Sequence, residues 1–230
     1  MKLKPKIAFL IPRLGATDRG AEVFVYELAT QLIKYFSVTI WVRKNNQPTL
    51  LIKHLLQQGV IIKQVNCIPE QISIARLLDK NKWLQRQIDK YHLNPTHIEM
   101  LTFSLACLPD LLNSKLDLLF PVNGFWGAII CRFVRLIRGI PFVYSSQGGI
   151  EPLIARQKPD IYFAIHPYTK KWLNDHFPKL KVIHIPNGID VKRFNPRGEK
   201  VKLNLPKPII LTVSALIPSK RVDLTIKAVA

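Results

Sequence analysis

The sequence predicts an α/β domain built on a parallel sheet with helices on both of its faces. Three observations predict it. Short apolar, β-rich runs alternate with stretches of helical period. Several of those runs, Ile7–Ile11 among them, are apolar at successive positions, as strands covered on both faces are. The balance of 48% hydrophobic and 21% charged residues over 230 positions can fill a core, which excludes a wholly disordered chain.

The elements follow in order. Ile7–Ile11 reads as a buried strand, followed by a loop over Pro12–Arg19. Gly20–Tyr35 reads as a helix because Ala21, Phe24, Leu28 and Leu32 recur near a 3.6-residue period. Val38–Val42 is the second strand, Leu50–Gln58 a helix stopped by Gly59, and Val60–Val65 the third strand. Ile72–Leu93 has a long helical pattern, whereas Ile98–Pro109 fits no single element. Asp117–Val122 reads as a strand, Phe125–Arg138 as a helix ended by Gly139-Ile140-Pro141, and Phe142–Ser146 as a strand entering the turn Gly148-Gly149. Ile161–Ile165, Tyr168–Phe177 and Lys181–Ile185 complete the pattern as strand, helix and strand, before the turn Pro186-Asn187-Gly188. This is a Rossmann-like, doubly wound α/β domain over residues 1–190. Residues 191–207, rich in Lys, Arg, Pro and Asn, read as a linker. Residues 208–230 read as the opening strand, Ile209–Val213, and helix, Val222–Ala230, of a second α/β domain cut short at Ala230.

Charge and cysteine usage narrow the functional classes. Thirty-four Lys and Arg face 15 Asp and Glu, a formal charge of +19, which favours anionic partners. The three cysteines, Cys67, Cys107 and Cys131, include no CxxC spacing, against both a disulfide framework and a zinc site. A reducing, cytoplasmic compartment is expected. The apolar run after the basic N-terminus is too short for a signal-peptide core. The apolar stretch Trp126–Ile137 is broken by Arg132 and Arg135, so no transmembrane helix is expected. Arg132, Arg135 and Arg138 on one helix, and Arg76, Lys80, Arg86 and Lys90 on another, suit peripheral contact with an anionic membrane at its inner face; a solvated helix face is the plainer alternative.

Familiar catalytic motifs are missing. There is no GxxxxGK[ST], no GxGxxG after the first strand, no GxSxG and no HExxH, and the six histidines are scattered. No metal ligand set is predicted. The loop Pro12–Glu22, carrying Gly15, Arg19 and Gly20, leads into a helix N-terminus, where backbone N–H groups suit an anion or a sugar hydroxyl. Gln147-Gly148-Gly149 follows a strand and belongs at the carboxyl edge of the sheet, where open α/β folds place ligands. Asn187-Gly188 is a strong turn signal, and Lys220 past the last strand suits a phosphate. Each also has a plainer reading as a turn or a solvated lysine.

Taken together, four segments resemble glycosyltransferase family 4, the retaining, nucleotide-sugar-dependent enzymes with a GT-B fold. They are the first strand and Pro-containing loop with Gly20-Ala21-Glu22, Glu27-Leu28-Ala29 and Val38-Thr39-Ile40; Leu116–Leu119 with Gly139–Tyr144; Ile185–Asp190 with Arg193-Phe194; and Ile210–Leu216 with Lys220 and Asp223. The resemblance spans the whole chain and implies the first half of a GT-B fold, with an acceptor-side domain followed by the start of a donor-binding domain. It implies hexosyl transfer from a nucleotide sugar to a glycan or lipid-linked acceptor, without a metal or a cofactor beyond the donor itself. It places Gly15, Arg19, Gly20, Gln147, Gly148, Asn187 and Gly188 at the acceptor side, and Lys220 on the donor diphosphate. No catalytic residue is assigned.

The sequence departs from that pattern in places. Arg19-Gly20 stands where Gly-Gly is common. Gln147 stands at a frequent histidine position and cannot act as an acid or base near neutral pH. Ala215 replaces the arginine usually paired with the diphosphate lysine, and the acidic donor motif would lie beyond Ala230. A separate donor-domain chain is therefore an expected partner. The alternative expectation is a non-catalytic module binding a glycan or an anionic lipid. Nucleic-acid binding rests on charge alone, without a recognition motif.

Overall fold

The computed structural model describes residues 4–229 apart from 18, 46, 48, 71–94, 123, 193, 200, 202–203, 215 and 217–219. The helix expected over Ile72–Leu93, with the basic face Arg76, Lys80, Arg86 and Lys90, lies outside the described residues. The chain divides into two units, Met1–Asn187 and Gly188–Ala230.

In the first unit, β1 (Lys6–Leu10), β2 (Ser37–Arg43), β3 (Ile61–Val65) and β4 (Leu118–Pro121) form a parallel sheet in the order β3-β2-β1-β4. β5 (Val143–Ser146), β6 (Ile161–Ala164) and β7 (Val182–His184) form a second parallel set in the order β5-β6-β7. A parallel bridge, Leu119 to Phe142, joins the two. The strands therefore run 3-2-1-4-5-6-7, the doubly wound order, with the reversal between β1 and β4.

Alternation along each strand explains the two-sided burial. Ile7, Phe9 and Ile11 face one core, with Val25, Ala29, Ile52 and Leu55 from α1 (Gly20–Leu32) and α2 (Leu50–Gln57). Ala8 and Leu10 face the other, with Phe103, Cys107 and Leu111 of α3 (Pro95–Asn113) and Ala128, Cys131 and Val134 of α4 (Phe125–Arg138). Period-2 side-chain geometry thus gives β1 two apolar faces and places helices on both. The second core continues through Tyr144 and Tyr162 to α5 (Pro152–Ala155) and α6 (Pro167–His176).

Three differences from the sequence expectation have physical causes. The unassigned region around Ile98–Pro109 is one long helix, α3. Pro109 lies inside it and has no N–H to donate to the preceding turn, which obscures the pattern, while buried Phe103, Cys107 and Leu111 hold the helix against the sheet. Arg132, Arg135 and Arg138 do not form a free basic face. Arg132 donates to the Arg156 carbonyl at 3.2 Å, Arg135 to the Lys158 carbonyl at 2.7 Å, and Arg138 to the Leu112 carbonyl. They tie α4 to its neighbours, while Gly139, with φ of 70°, ends the helix in a left-handed cap.

The third difference is in the second unit. Ile209–Val213, expected as a strand, carries no strand and is exposed, Val213 to 87%. A strand needs a neighbour to pair its backbone groups, and among the described residues the second unit offers one helix, α7 (Val222–Val229).

Candidate functional site

Ligands of open parallel sheets bind beyond the carboxyl ends of the strands, near the reversal in strand order. The loop after β1 occupies that edge. It is fastened to β2 by the Ile11 N–H on the Trp41 carbonyl at 3.1 Å and the Arg43 N–H on the Pro12 carbonyl at 3.0 Å. The Ala16 and Thr17 N–H groups both reach the Arg13 carbonyl at 2.9 Å, curling the loop into a turn.

Gly15 lies inside this turn with φ of +83°. A Cβ built there would sit 2.5 Å from Cγ1 of Ile52. Its carbonyl accepts Nδ2 of Asn45 at 2.8 Å. Glycine at this position therefore serves packing on α2, a role the sequence did not reveal. Arg19 and Gly20 are exposed at the N-terminus of α1, and a Cβ on Gly20 would meet nothing within 4 Å. Glu22, nearly fully buried, accepts the Arg19 N–H at 3.2 Å. Burial raises its carboxyl above the usual range.

Beneath the loop lies a charge network that the sequence did not disclose. Glu99 on α3 has no exposed surface. It accepts Nε of Arg13 at 3.2 Å and the backbone N–H of Glu70 at 2.7 Å, and pairs with Nη1 of Arg43 at 3.5 Å. Arg13 also pairs with Glu70. The network joins the ends of β1 and β2, the chain after β3, and α3. Its partners are far apart in sequence, so no local spacing could have marked them.

A second group follows β5. Gln147 Nε2 donates to Oγ of Ser145 at 3.1 Å, and its Oε1 accepts Nδ2 of Asn187 at 3.3 Å, which links the turn after β5 to the chain after β7. Gly148 is exposed and borders open space. Below them, the Tyr144 hydroxyl donates to Oε2 of Glu151 at 2.7 Å. Burial raises the Glu151 carboxyl, and burial followed by the nearby Glu151 charge raises the Tyr144 hydroxyl. The pair was likewise absent from the sequence expectations.

The first unit thus brings Gly15, Arg19, Gly20, Gln147, Gly148 and Asn187 to one edge of the sheet, in two loop groups. Gly188 and Lys220 belong to the second unit, both exposed, and Gly188 borders open space. Among the described residues no cluster of His, Cys, Asp or Glu is arranged to hold a metal ion, and no helix is long and apolar enough to cross a membrane. Cys67, Cys107 and Cys131 are free thiols.

No family model matches this chain, and no curated protein sequence matches it. Among solved structures it is similar to TcCGT1 in complex with UDP, with 13% sequence identity and a TM-score of 0.45, over 97% of this chain and 55% of that one. The chain spans about half the length of that structure.

Proposed function

We propose that this chain carries the acceptor side and the diphosphate lysine of a glycosyltransferase. It would move a hexose from a nucleotide sugar to a glycan or lipid-linked acceptor, with retention of configuration and without a metal. One observation carries the proposal. The candidate acceptor groups of the first unit all follow the carboxyl ends of β1, β5 and β7, the edge at which an open parallel sheet presents loops to a ligand.

In this scheme the exposed N-terminus of α1 at Arg19 and Gly20 offers backbone N–H groups and a guanidinium to acceptor hydroxyls or phosphate. The open edge at Gly148 admits a sugar ring close to the backbone. Gln147 and Asn187 hold each other and present amide groups to hydroxyls. Lys220 offsets the charge that grows on the departing diphosphate as the sugar takes on oxocarbenium character. Gly15, at the acceptor side, and the Glu99 network shape the first loop.

The test is a transfer assay of the full protein with UDP-, GDP- and ADP-hexoses, glycan and lipid-phosphate acceptors, and EDTA in a parallel series. Transfer with a retained anomer, indifferent to EDTA and reduced at least about tenfold by Gln147→Ala or Lys220→Ala, is the expected result. Inversion of the anomer, or loss of transfer in EDTA, overturns the mechanism.

One observation favours a second reading, a module that binds a glycan or an anionic lipid without turnover. Both ends of the Gln147 amide are engaged by Ser145 and Asn187, so the side chain is a strut between turns with no proton to exchange. Retention on immobilised glycans or anionic lipid, with no transfer from any donor, would establish it.

A further inference from the structure

Glu151 stands in the turn after β5, three residues past Gly148. The Tyr144 hydroxyl on β5 holds one of its oxygens, Oε2, at 2.7 Å. The other oxygen, Oε1, has no hydrogen-bond partner among the described residues and is open to solvent through the partly exposed side chain. Burial raises this carboxyl, while the Tyr144 hydrogen bond favours its ionised form. Its charge, after burial, also raises the hydroxyl of Tyr162, whose ring lies 5.4 Å from that of Tyr144. Among the described residues no Lys or Arg bonds to Tyr144, Gln147, Glu151 or Asn187.

The rest of the turn mixes donors and acceptors. Asn187 donates Nδ2 to Gln147, and its Oδ1 has no partner among the described residues. The backbone N–H groups of Gly148 and Gly149 have no acceptor among the described residues. A Cβ built on either glycine would meet nothing within 4 Å, so a ring can come close to the backbone there. An approaching group thus meets acceptor oxygens and N–H donors together, without a cation. A hydroxyl donates and accepts at once and can satisfy both kinds. A phosphate or carboxylate only accepts, and it would face the Glu151 carboxylate with no positive partner, where like charges repel.

We propose that the turn after β5 is a subsite for a neutral, hydroxyl-rich sugar ring, with Oε1 of Glu151 accepting a hydrogen bond from one sugar hydroxyl and the Gly148-Gly149 backbone lying against the ring. The inference rests on the reading of this turn as acceptor-binding, and it narrows that acceptor: the group bound here is an uncharged sugar and not a phosphate. The chain's formal charge of +19 favours anions over the molecule as a whole. Exposed charges more than about 8 Å away are largely screened at physiological salt, so the carboxylate at hydrogen-bond distance decides what this turn admits. Tyr144 is a positioning residue, which fixes Oε2 and leaves Oε1 to the ligand.

The test is a titration of the full protein at pH 8 with the methyl glycosides of glucose, galactose and mannose, and with the matching uronates, read from the NMR Hα–Cα signals of Gly148 and Gly149. Glu151→Gln and Tyr144→Phe are titrated in parallel, with circular dichroism to show that each is folded. Saturable shifts of both glycines with at least one neutral glycoside, and none with the uronates, are the expected result. Glu151→Gln should weaken the neutral glycoside at least about fivefold and at the same time admit the matching uronate, a reversal that loss of structure would not produce. Tyr144→Phe should weaken the neutral glycoside at least about twofold and still exclude the uronate, which tests the proposal even where the Glu151 variant does not fold. Octyl glycosides run beside the methyl ones assign the sugar to a lipid-linked acceptor where they bind more tightly, and to a free glycan where they do not. Three results would overturn the proposal: no neutral glycoside moves the glycine signals, the wild-type protein binds a uronate as tightly as the neutral sugar, or folded Glu151→Gln keeps the wild-type preference. Binding as expected without transfer from any donor supports the subsite and overturns the transferase reading alone, and transfer without any glycine shift does the reverse.

Discussion

Nε of Arg13 donates to Oε1 of Glu99 at 3.2 Å, across 86 residues of sequence and with no exposed surface left on the Glu99 side chain. Arg43, 12% exposed, faces the other carboxylate oxygen at 3.5 Å. One buried carboxylate thus fixes the loop after β1 and the end of β2 from below. Its removal leaves Arg43 desolvated without its carboxylate and Arg13 with Glu70 alone, and such losses cost about 3 kcal/mol or more. Glu99→Gln should therefore lower stability by about 3 kcal/mol in urea unfolding at neutral pH. Arg13→Met/Glu99→Met should cost clearly less than the sum of its single changes, because no lone charge of that pair remains.

Glycines along the carboxyl edge of the sheet should separate by environment. Gly15→Ala places a Cβ 2.5 Å from Ile52 on a backbone with φ of +83°, and it should cost about 2 kcal/mol. Ile52→Ala should lower the incremental cost of that change, as a thermal-melt double-mutant cycle would show. Gly20→Ala and Gly148→Ala, whose added methyl groups meet nothing within 4 Å, should stay within about 0.5 kcal/mol. A fall in acceptor binding by Gly148→Ala at unchanged melting temperature is the expected mark of a ligand-facing turn.

The Asp110 carboxylate should make stability acid-sensitive. Burial raises its pKa, but the hydrogen bonds from Lys63, at 2.7 and 2.9 Å, and from Trp41 Nε1, at 2.9 Å, outweigh burial and hold it below the ordinary aspartate range. The native state then binds fewer protons than the unfolded chain in this range. Stability from the cluster is complete above about pH 4 and is lost as pH falls through the lowered native value. Asp110→Asn should flatten that part of the stability profile below pH 4, with denaturant midpoints as the measurement.

The thiols should react slowly. Burial, with the Glu99 charge nearby, raises Cys67 to about 11, and burial raises Cys107 and Cys131 further. A free cysteine near 8.5 is about one quarter thiolate at pH 8, whereas one near 11 is about one part in a thousand. Iodoacetamide at pH 8 should label native Cys67 at least about tenfold more slowly than a model thiol, the lower thiolate fraction outweighing the greater nucleophilicity of a high-pKa thiolate, and all three cysteines should react at ordinary rates in denaturant.

Much of the first unit was legible because its signals are local. Ile7–Ile11 and Val38–Val42 are apolar at every position or nearly so, Gly20–Leu32 keeps a helical period, and Gly139 stops α4 where its φ of 70° requires. α3 was not legible, since Pro109 breaks the pattern while tertiary burial holds the helix. Ile209–Val213 misled in the opposite direction. Its composition suits a buried strand, but pairing depends on a neighbour that composition does not supply. At the carboxyl edge, the turns at Gly20, Gln147-Gly148 and Asn187-Gly188 were visible as turns. The packing role of Gly15 depends on Ile52, which no local pattern links to it.

By itself the sequence determined a parallel α/β architecture, because strand and helix periods and the run of apolar residues on both strand faces are properties of neighbouring positions. It also determined which loops reach the carboxyl edge, because each follows a strand of known direction. Only the tertiary structure decided that Glu99 would bind Arg13 and Arg43, that Gln147 would meet Asn187, and that the arginines of α4 would turn onto backbone carbonyls and leave its outer face apolar. Those outcomes join residues from 23 to 86 positions apart. They depend on which groups burial brings together and which it leaves to find a partner, and no short-range spacing encodes that.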